Sequence, residues 1–440
     1  MRQLPCTLSV RYDRRRGQQK PVVLRPDSAF QQFVVRASRS PPTSRGATGR
    51  QQRGFLLRDL GREYALPGCP GPRHAPLRHL TDAPPTRPPY LHAMSVLALT
   101  LLACAEPEPA MEPYSGAVVA LQDASALALL DLDGALRDTL ALVSSQNGRE
   151  VPWMIHNVQI TPDGLQALAT AMTPMDDAGT YLDVHDELVI VDLASHAVRR
   201  CVLDAGLGAA HVVTDGSFAW VSAYDQDRIV EVDLTSCETT NRWPLPPGTG
   251  PHGLRRSVDG AALFVAGMTG SSLHRVWIDS GDVTTWSLPG NAVQVAVVPD
   301  GSAILATLND TRQVARLDPD TEVVAVFDLP DGAQGPAQIY PSPDSARVWI
   351  ADQGAPGAPI YGHALYAMDA TTGVVDREVN VDPGPHGVVV SPDGATIWVS
   401  ALGMGTAVRV DAATGTVLSS TAIGEGPNGI SLVEGGNVPQ

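Results

Sequence analysis

Between Gly116 and the C-terminus the chain alternates short apolar runs with polar turns in one recurring order. The clearest copy spans 384–423 and reads GPHGVVVSPDGATIWVSALGMGTAVRVDAATGTVLSSTAI. An apolar strand runs into a Pro-Asp-Gly turn that closes at Gly394, and a second strand covers 396–401. A third, 407–410, stops at Asp411, and Thr414-Gly415 turns the chain into a fourth, 417–422. Runs of this length, rich in β-branched residues and separated by turn residues, predict four antiparallel strands. One such sheet buries too little surface to stand alone, so it needs copies to pack against.

The copies are present. An Asp follows a strand end at Asp131, Asp192, Asp233, Asp279, Asp318, Asp369 and Asp411, with spacings of 61, 41, 46, 39, 51 and 42 residues. The turn after the first strand recurs at Asp163-Gly164, Asp215-Gly216, Asp259-Gly260, Asp300-Gly301, Asp344-Ser345 and Asp393-Gly394. A Gly-Pro lead-in precedes that strand at 250–253, 335–338, 384–387 and 426–429, with a degenerate copy at 154–157. A period near 40 residues with four strands per repeat predicts an all-β, seven-bladed β-propeller. The repeated Asp is a turn acceptor for backbone amides, so seven copies signify seven blades rather than seven catalytic carboxylates. The first copy, 116–142, lacks a first strand, and the last segment, 426–433, supplies only a first strand. Pairing the two completes one blade and closes the ring, which removes exposed sheet edges.

Composition divides the chain. Residues 1–93 hold 17 of the 31 basic and 5 of the 47 acidic residues, a net of +12; the remainder holds 14 and 42, a net of −28. The basic segment is rich in Pro, Gln and Ser, lacks hydrophobic periodicity and is expected to be a disordered extension, or an upstream artefact of the gene boundary. Residues 94–104 (MSVLALTLLAC) form a short apolar core ending at Cys104, and 105–115 is a Pro- and Glu-rich tether. The propeller occupies 116–433 and a tail 434–440. No apolar run is long enough to span a bilayer as a helix. The acidic propeller disfavours nucleic acid as a partner.

Two resemblances follow from these motifs. Repeats of the form G-P-x-G, S-P-D-G, W-V-S and V-D-x-x-T-G resemble the YVTN family of bacterial seven-bladed propellers, with Trp220-Val221-Ser222-Ala223 and Trp398-Val399-Ser400-Ala401 nearest to its signature. The tetrad Leu101-Leu102-Ala103-Cys104 resembles a bacterial lipobox, although no Lys or Arg lies between Met94 and the apolar core. These resemblances imply lipidation at Cys104, after a signal peptide, and a cell-envelope location facing the periplasm or cell surface. They imply no single activity.

Candidate chemistry gathers at one end of the channel. His156, His252 and His386 each stand eight residues before the last residue of their turn, in blades 2, 4 and 7, and so surround the channel mouth. Imidazole is the usual protein ligand for zinc, copper and nickel, which makes a transition metal the candidate cofactor there. His211, offset by three residues in blade 3, is expected to face elsewhere. The acidic insertion 173–187 in blade 2 carries Asp176, Asp177 and His185 and offers oxygen ligands of the kind calcium takes. The insertion 353–364 in blade 6 carries Tyr361 and His363. Cys201 and Cys237 fall near outer strands of neighbouring blades, and an offset of five residues in repeat position makes a bridge between them a poor fit. No P-loop, Rossmann, HExxH or G-x-S-x-G motif is present. The expected function is a monomeric envelope propeller that binds a small-molecule ligand or an envelope protein as a scaffold. The alternative is a metal-dependent lyase, lactonase or oxidoreductase working at the channel face.

Overall fold

The computed structural model describes residues 113–174, 182–355 and 361–438. The basic extension, the segment ending at Cys104, most of the tether, and Asp176 and Asp177 lie outside the described residues. Among the described residues no helix is long and apolar enough to cross a membrane.

The described residues form seven four-stranded antiparallel sheets and one small hairpin. Blade 2 runs over Met154–Ala205, blade 3 over Ala209–Pro244, blade 4 over Pro251–Ser287, blade 5 over Ala292–Asp328, blade 6 over Pro336–Asn380 and blade 7 over Pro385–Ala422. Blade 1 is composite. Its three outer strands come from Gly116–Leu121, Ala126–Leu130 and Leu136–Ala141, and its inner strand is Pro427–Val433 from the other end of the chain. That strand pairs Gly116 with Val433 and Val119 with Ile430, which is the closure expected from the incomplete end repeats. The hairpin, Ser144–Gln146 with Arg149–Val151, sits between blades 1 and 2 and, with the blade 2 insertion, accounts for the long first Asp spacing.

Strand order explains the burial pattern. The first and second strands of each blade are sandwiched between neighbouring sheets, so they read as nearly unbroken apolar runs, as in Pro385–Val390 and Ile304–Leu308. The fourth strands face solvent and are mostly exposed, as in Val417–Ala422. Trp220 and Trp398, on second strands, are buried, and each carries a guanidinium, Arg256 and Arg409, at 5.1 Å from its ring.

The repeated carboxylates work in the turns. Each Asp of the first turn accepts a backbone amide two residues on, from Leu165 N to Asp163 at 3.0 Å through to Ala395 N to Asp393 at 2.9 Å. The closing Gly is left-handed, φ +73° at Gly394, and Ser345 adopts the same region at φ 62° in blade 6. Asp411 and Asp192 accept the Thr414 and Ser195 hydroxyls and then amides of the later turn, Asp369, Asp318 and Asp233 accept its amides first, and these hydrogen bonds hold their carboxyls below the usual range. Blade 4 departs from the reading above. Trp277, paired with Ala262 as Asp411 is with Thr396, takes the strand-end position, and Asp279 lies two residues beyond it, exposed in the turn.

Cys201 and Cys237 are joined, with Cα atoms 4.9 Å apart, against the poor fit expected. Cys201 sits on the fourth strand of blade 2, whereas Cys237 lies in the turn before the fourth strand of blade 3 with φ 61°. The turn reaches sideways to the neighbouring blade, so equal repeat positions are not needed.

Candidate functional site

Every inner strand carries the same irregularity. Three residues on it stand opposite two on the second strand, as in Pro385↔Ala401 followed by Val388↔Val399, and this holds in all seven blades. A β-bulge of this kind adds one residue and redirects side chains. Two successive residues therefore contribute to the channel, and a third follows two positions later. The upper ring holds His156, Ala210, His252, Val293, Ala337, His386 and Asn428. The middle ring holds Asn157, His211, Gly253, Gln294, Gln338, Gly387 and Gly429. The lower ring holds Gln159, Val213, Arg255, Ala296, Tyr340, Val389 and Ser431.

Hydroxyls lock the bulge. Thr170, Ser222, Thr307 and Ser400, on second strands, accept the middle-ring amides of Asn157, His211, Gln294 and Gly387 at 3.0, 2.9, 3.2 and 2.8 Å. The same hydroxyls donate across to the next blade's upper-ring carbonyl: Ala210, His252 and Ala337 at 2.8, 2.5 and 2.6 Å, and Asn428. Each hydroxyl thus ties one blade to the next at the level of the histidines. Gly253 is required by the same crowding, since a Cβ there would lie 2.6 Å from the Cα of Gln294.

The rings bring four histidines together. His156, His252 and His386 converge as their shared position implied, and all are at most 6 % exposed. His211 joins them, contrary to expectation: its ring centroid lies 4.6 Å from that of His252 and 5.4 Å from that of His156. The turn of blade 3 is two residues shorter than that of blade 7, with Val213↔Trp220 against Val389↔Trp398, so counting back from the turn displaced His211. By strand pairing it is one step below the upper ring.

The hydrogen bonds set the tautomers. His252 Nδ1 lies 2.9 Å from the carbonyl of Val293, a pure acceptor, so Nδ1 carries the proton and Nε2 of the neutral ring is bare. His156 Nδ1 lies 3.0 Å from Gln122 Oε1 and 3.3 Å from the side-chain amide nitrogen of Asn428, which itself donates to Gln122 Oε1 at 2.8 Å; donation from Nδ1 to Gln122 is the tautomer that matches His252. The two Nε2 atoms then face each other at 3.1 Å. His211 is held mainly by packing, with Gln294 and Gln338 amide nitrogens 3.4 Å from its two ring nitrogens. The nearest ligand atoms of His156, His211 and His252 lie within 4.8 Å of one another. Nδ1 of His386 and Oδ1 of Asn428 are buried without a partner.

Burial disfavours the imidazolium throughout. It pushes His252 down to about 4. Burial, followed by the neighbouring His252, takes His386 down to about 3. The same two causes hold His156 and His211 well below the ordinary value. At neutral pH the cluster is therefore a set of neutral imidazoles, the form that ligates metals. With both rings protonated at Nδ1, two bare lone pairs meet at hydrogen-bond distance, and a shared cation relieves their repulsion. Nδ1–H groups on oxygen acceptors, with Nε2 turned into the cluster, are the arrangement found behind His-metal sites.

The other candidates serve different ends. Of the acidic insertion, Asp186 accepts from Thr173 N and Ala209 N at 2.9 Å each, and Glu187 pairs with Arg200 at 2.6 Å. His185 Nδ1 lies 3.0 Å from the carbonyl of Leu203. These groups brace blade 2 internally, with Asp186 also reaching blade 3 through Ala209, and form no oxygen cluster for calcium among the described residues. His363 is exposed and Tyr361 half-buried. Tyr224 approaches the histidines, with its ring 6.5 Å from that of His252.

The chain matches no protein-family model, and no curated protein is similar to it in sequence. Solved structures share the fold. Hydrazine synthase of Kuenenia stuttgartiensis is 15 % identical over 67 % of this chain and 98 % of that one, with a TM-score of 0.53. A functionally unknown protein from Desulfotomaculum acetoxidans is 12 % identical over 73 % and 99 %, with a TM-score of 0.56. Dihydro-heme d1 dehydrogenase NirN, in complex with DHE, is 13 % identical over 76 % and 78 %, with a TM-score of 0.52. At these identities the likeness is one of architecture alone.

Proposed function

We propose that this protein is a binding propeller that holds a transition-metal ion of the zinc, copper or nickel class on His156, His211 and His252, with His386 adjacent. The facing Nε2 atoms of His156 and His252, 3.1 Å apart with both Nδ1 atoms on oxygen acceptors, carry this reading. Nitrogen ligands select these metals over magnesium and calcium. The histidines lie deep in the channel, so the reading favours a site that holds its ion over one that turns over bulky substrates. A metal-dependent enzyme would need a path for substrate to the Nε2 atoms.

The proposed setting is the cell envelope, with a lipid anchor on Cys104, a monomeric propeller and either a small molecule or an envelope protein as partner. The Cys201–Cys237 bridge supports an oxidising compartment. Mass spectrometry of the membrane-extracted protein tests the anchor: an unmodified N-terminus upstream of Met94 overturns it. Metal analysis of the purified protein tests the centre. One equivalent of a transition metal is expected in the wild type and a loss of it in His252→Ala. A protein that takes up no metal from a chelator-buffered solution overturns the reading.

A further inference from the structure

The lower ring contains a single charged side chain, Arg255, where other blades place Gln159, Val213, Ala296, Tyr340, Val389 and Ser431. Arg255 packs over Tyr340, its guanidinium carbon 5.6 Å from the ring centroid, and donates to the carbonyl of Leu254 at 3.0 Å. Among the described residues the ion pairs do not include it. Burial pushes its pKa down, yet an arginine keeps its proton, so a half-buried cation stands with no counter-charge among the described residues.

Arg255 also opens onto space. A basin of 530 Å³ lies at the turn end of the channel, floored by Arg255, Gln159 and Tyr340 and walled by Val213, Val297, Pro299 and Val390. Arg256 stands on its rim. The one carboxylate there, Asp259, accepts the Ser257 hydroxyl at 2.5 Å and the Ala261 amide at 3.0 Å, so it belongs to its turn and not to Arg255. A separate void of about 10 Å³ beside Asn157 and Gln338 has room for about one water between the basin and the histidines.

We propose that this basin binds a small organic carboxylate with an apolar body, its carboxylate on the Arg255 guanidinium and its body against the Val and Pro walls. The basin has the size of a small-ligand pocket, mostly apolar with a few convergent polar groups. One planar fork matches one carboxylate in two parallel hydrogen bonds. A phosphate dianion would bring a second charge against apolar walls that offer it few donors. This site shares no residue with the metal centre, although Arg255 lies close enough to His211 of the middle ring to disfavour its protonation.

Titration of the full-length protein with benzoate, followed by calorimetry and thermal melting, tests the proposal, with benzamide and inorganic phosphate as comparisons. Saturable binding of benzoate with a rise in Tm is expected, and no response to benzamide, which has the same shape without the charge. Arg255→Gln should weaken benzoate at least about 30-fold, and Arg255→Lys should fall between the two because it keeps the charge without the fork. Val258, 61 % exposed on the rim, allows a variant that leaves the core intact. Val258→Asp places a like charge at the mouth and should weaken benzoate about tenfold. Equal binding of benzoate and benzamide, phosphate binding in place of benzoate, no benzoate binding at all, or unchanged affinity in folded Arg255→Gln or Val258→Asp overturns the proposal.

Discussion

The two ends of one channel are built from the same seven strands and carry opposite chemistry. At the upper end four imidazoles are packed together, buried and neutral. At the lower end, three residues further along the same strand as His252, a permanent cation opens onto a basin. The bulge accounts for the contrast. It directs two successive residues into the upper channel and fills it, while below it only one residue per blade points inward and space remains. Repetition sets the scaffold, and single departures from it, His at some upper positions and Arg at one lower position, set the chemistry.

Swapping the losses between the ends is the strongest way to break this comparison. His156→Ala or His252→Ala should lower transition-metal affinity by more than about 100-fold, the upper end of what outer-shell losses alone produce, and leave the benzoate response unchanged. Arg255→Gln should do the reverse. Competitive metal titration and calorimetry on the same preparations check both, and a variant that lowers both affinities together would show that the two ends are one site.

Acid should act on the upper end first. The histidine pKa values are depressed in the folded protein, to about 4 for His252 and about 3 for His386. Between the unfolded value near 6.5 and these values the unfolded chain binds protons that the native cluster does not. Stability therefore falls as pH is lowered through this window, by up to ~1.4 kcal/mol per pH unit for each such histidine. Urea denaturation from pH 7 to pH 4 in wild type and in His252→Ala measures it. The variant should show a shallower slope, whereas Arg255→Gln, which relieves only the smaller push of Arg255 on His211, should change the slope less.

Gln122→Leu removes the oxygen behind His156 and should lower metal affinity by about 10- to 100-fold. Recovery of most of that loss in Gln122→Glu would sharpen the assignment of Nδ1 as the donor. Ser222→Ala is the smallest change. It removes the hydroxyl that joins the amide of His211 to the carbonyl of His252, and should cost about 1–3 kcal/mol of stability. Ser400→Ala, which makes the same link from blade 7 to Asn428, should cost a similar amount while disturbing metal affinity less.

Much of this molecule was legible in its sequence, for identifiable reasons. Turn chemistry is local, so Asp393-Gly394, Asp411 and their copies gave the blade count, and the complementary end segments gave the closure. His156, His252 and His386 share a repeat position, and the alignment alone brought them together. The bulge left no comparable mark, because it depends on pairing with the second strand. Without it, the shortened turn of blade 3 displaced His211, and Arg255 looked like one more strand residue. Counting back from Trp220 and Trp398 displaces His211 in the same way, because the shortened turn lies between the inner strand and the Trp. The bridge between Cys201 and Cys237 was missed for a related reason: it joins a strand to a turn, and repeat positions compare like with like. Asp279 failed by its letter, since blade 4 keeps an Asp near the turn but gives the strand end to Trp277.

The most direct test of the metal centre is a titration of the metal-free protein with Co²⁺, followed by its visible absorption. One equivalent should produce ligand-field bands of a nitrogen-rich site, absent in His156→Ala and in His252→Ala. The same bands in both variants, or none in the wild type, would contradict the account.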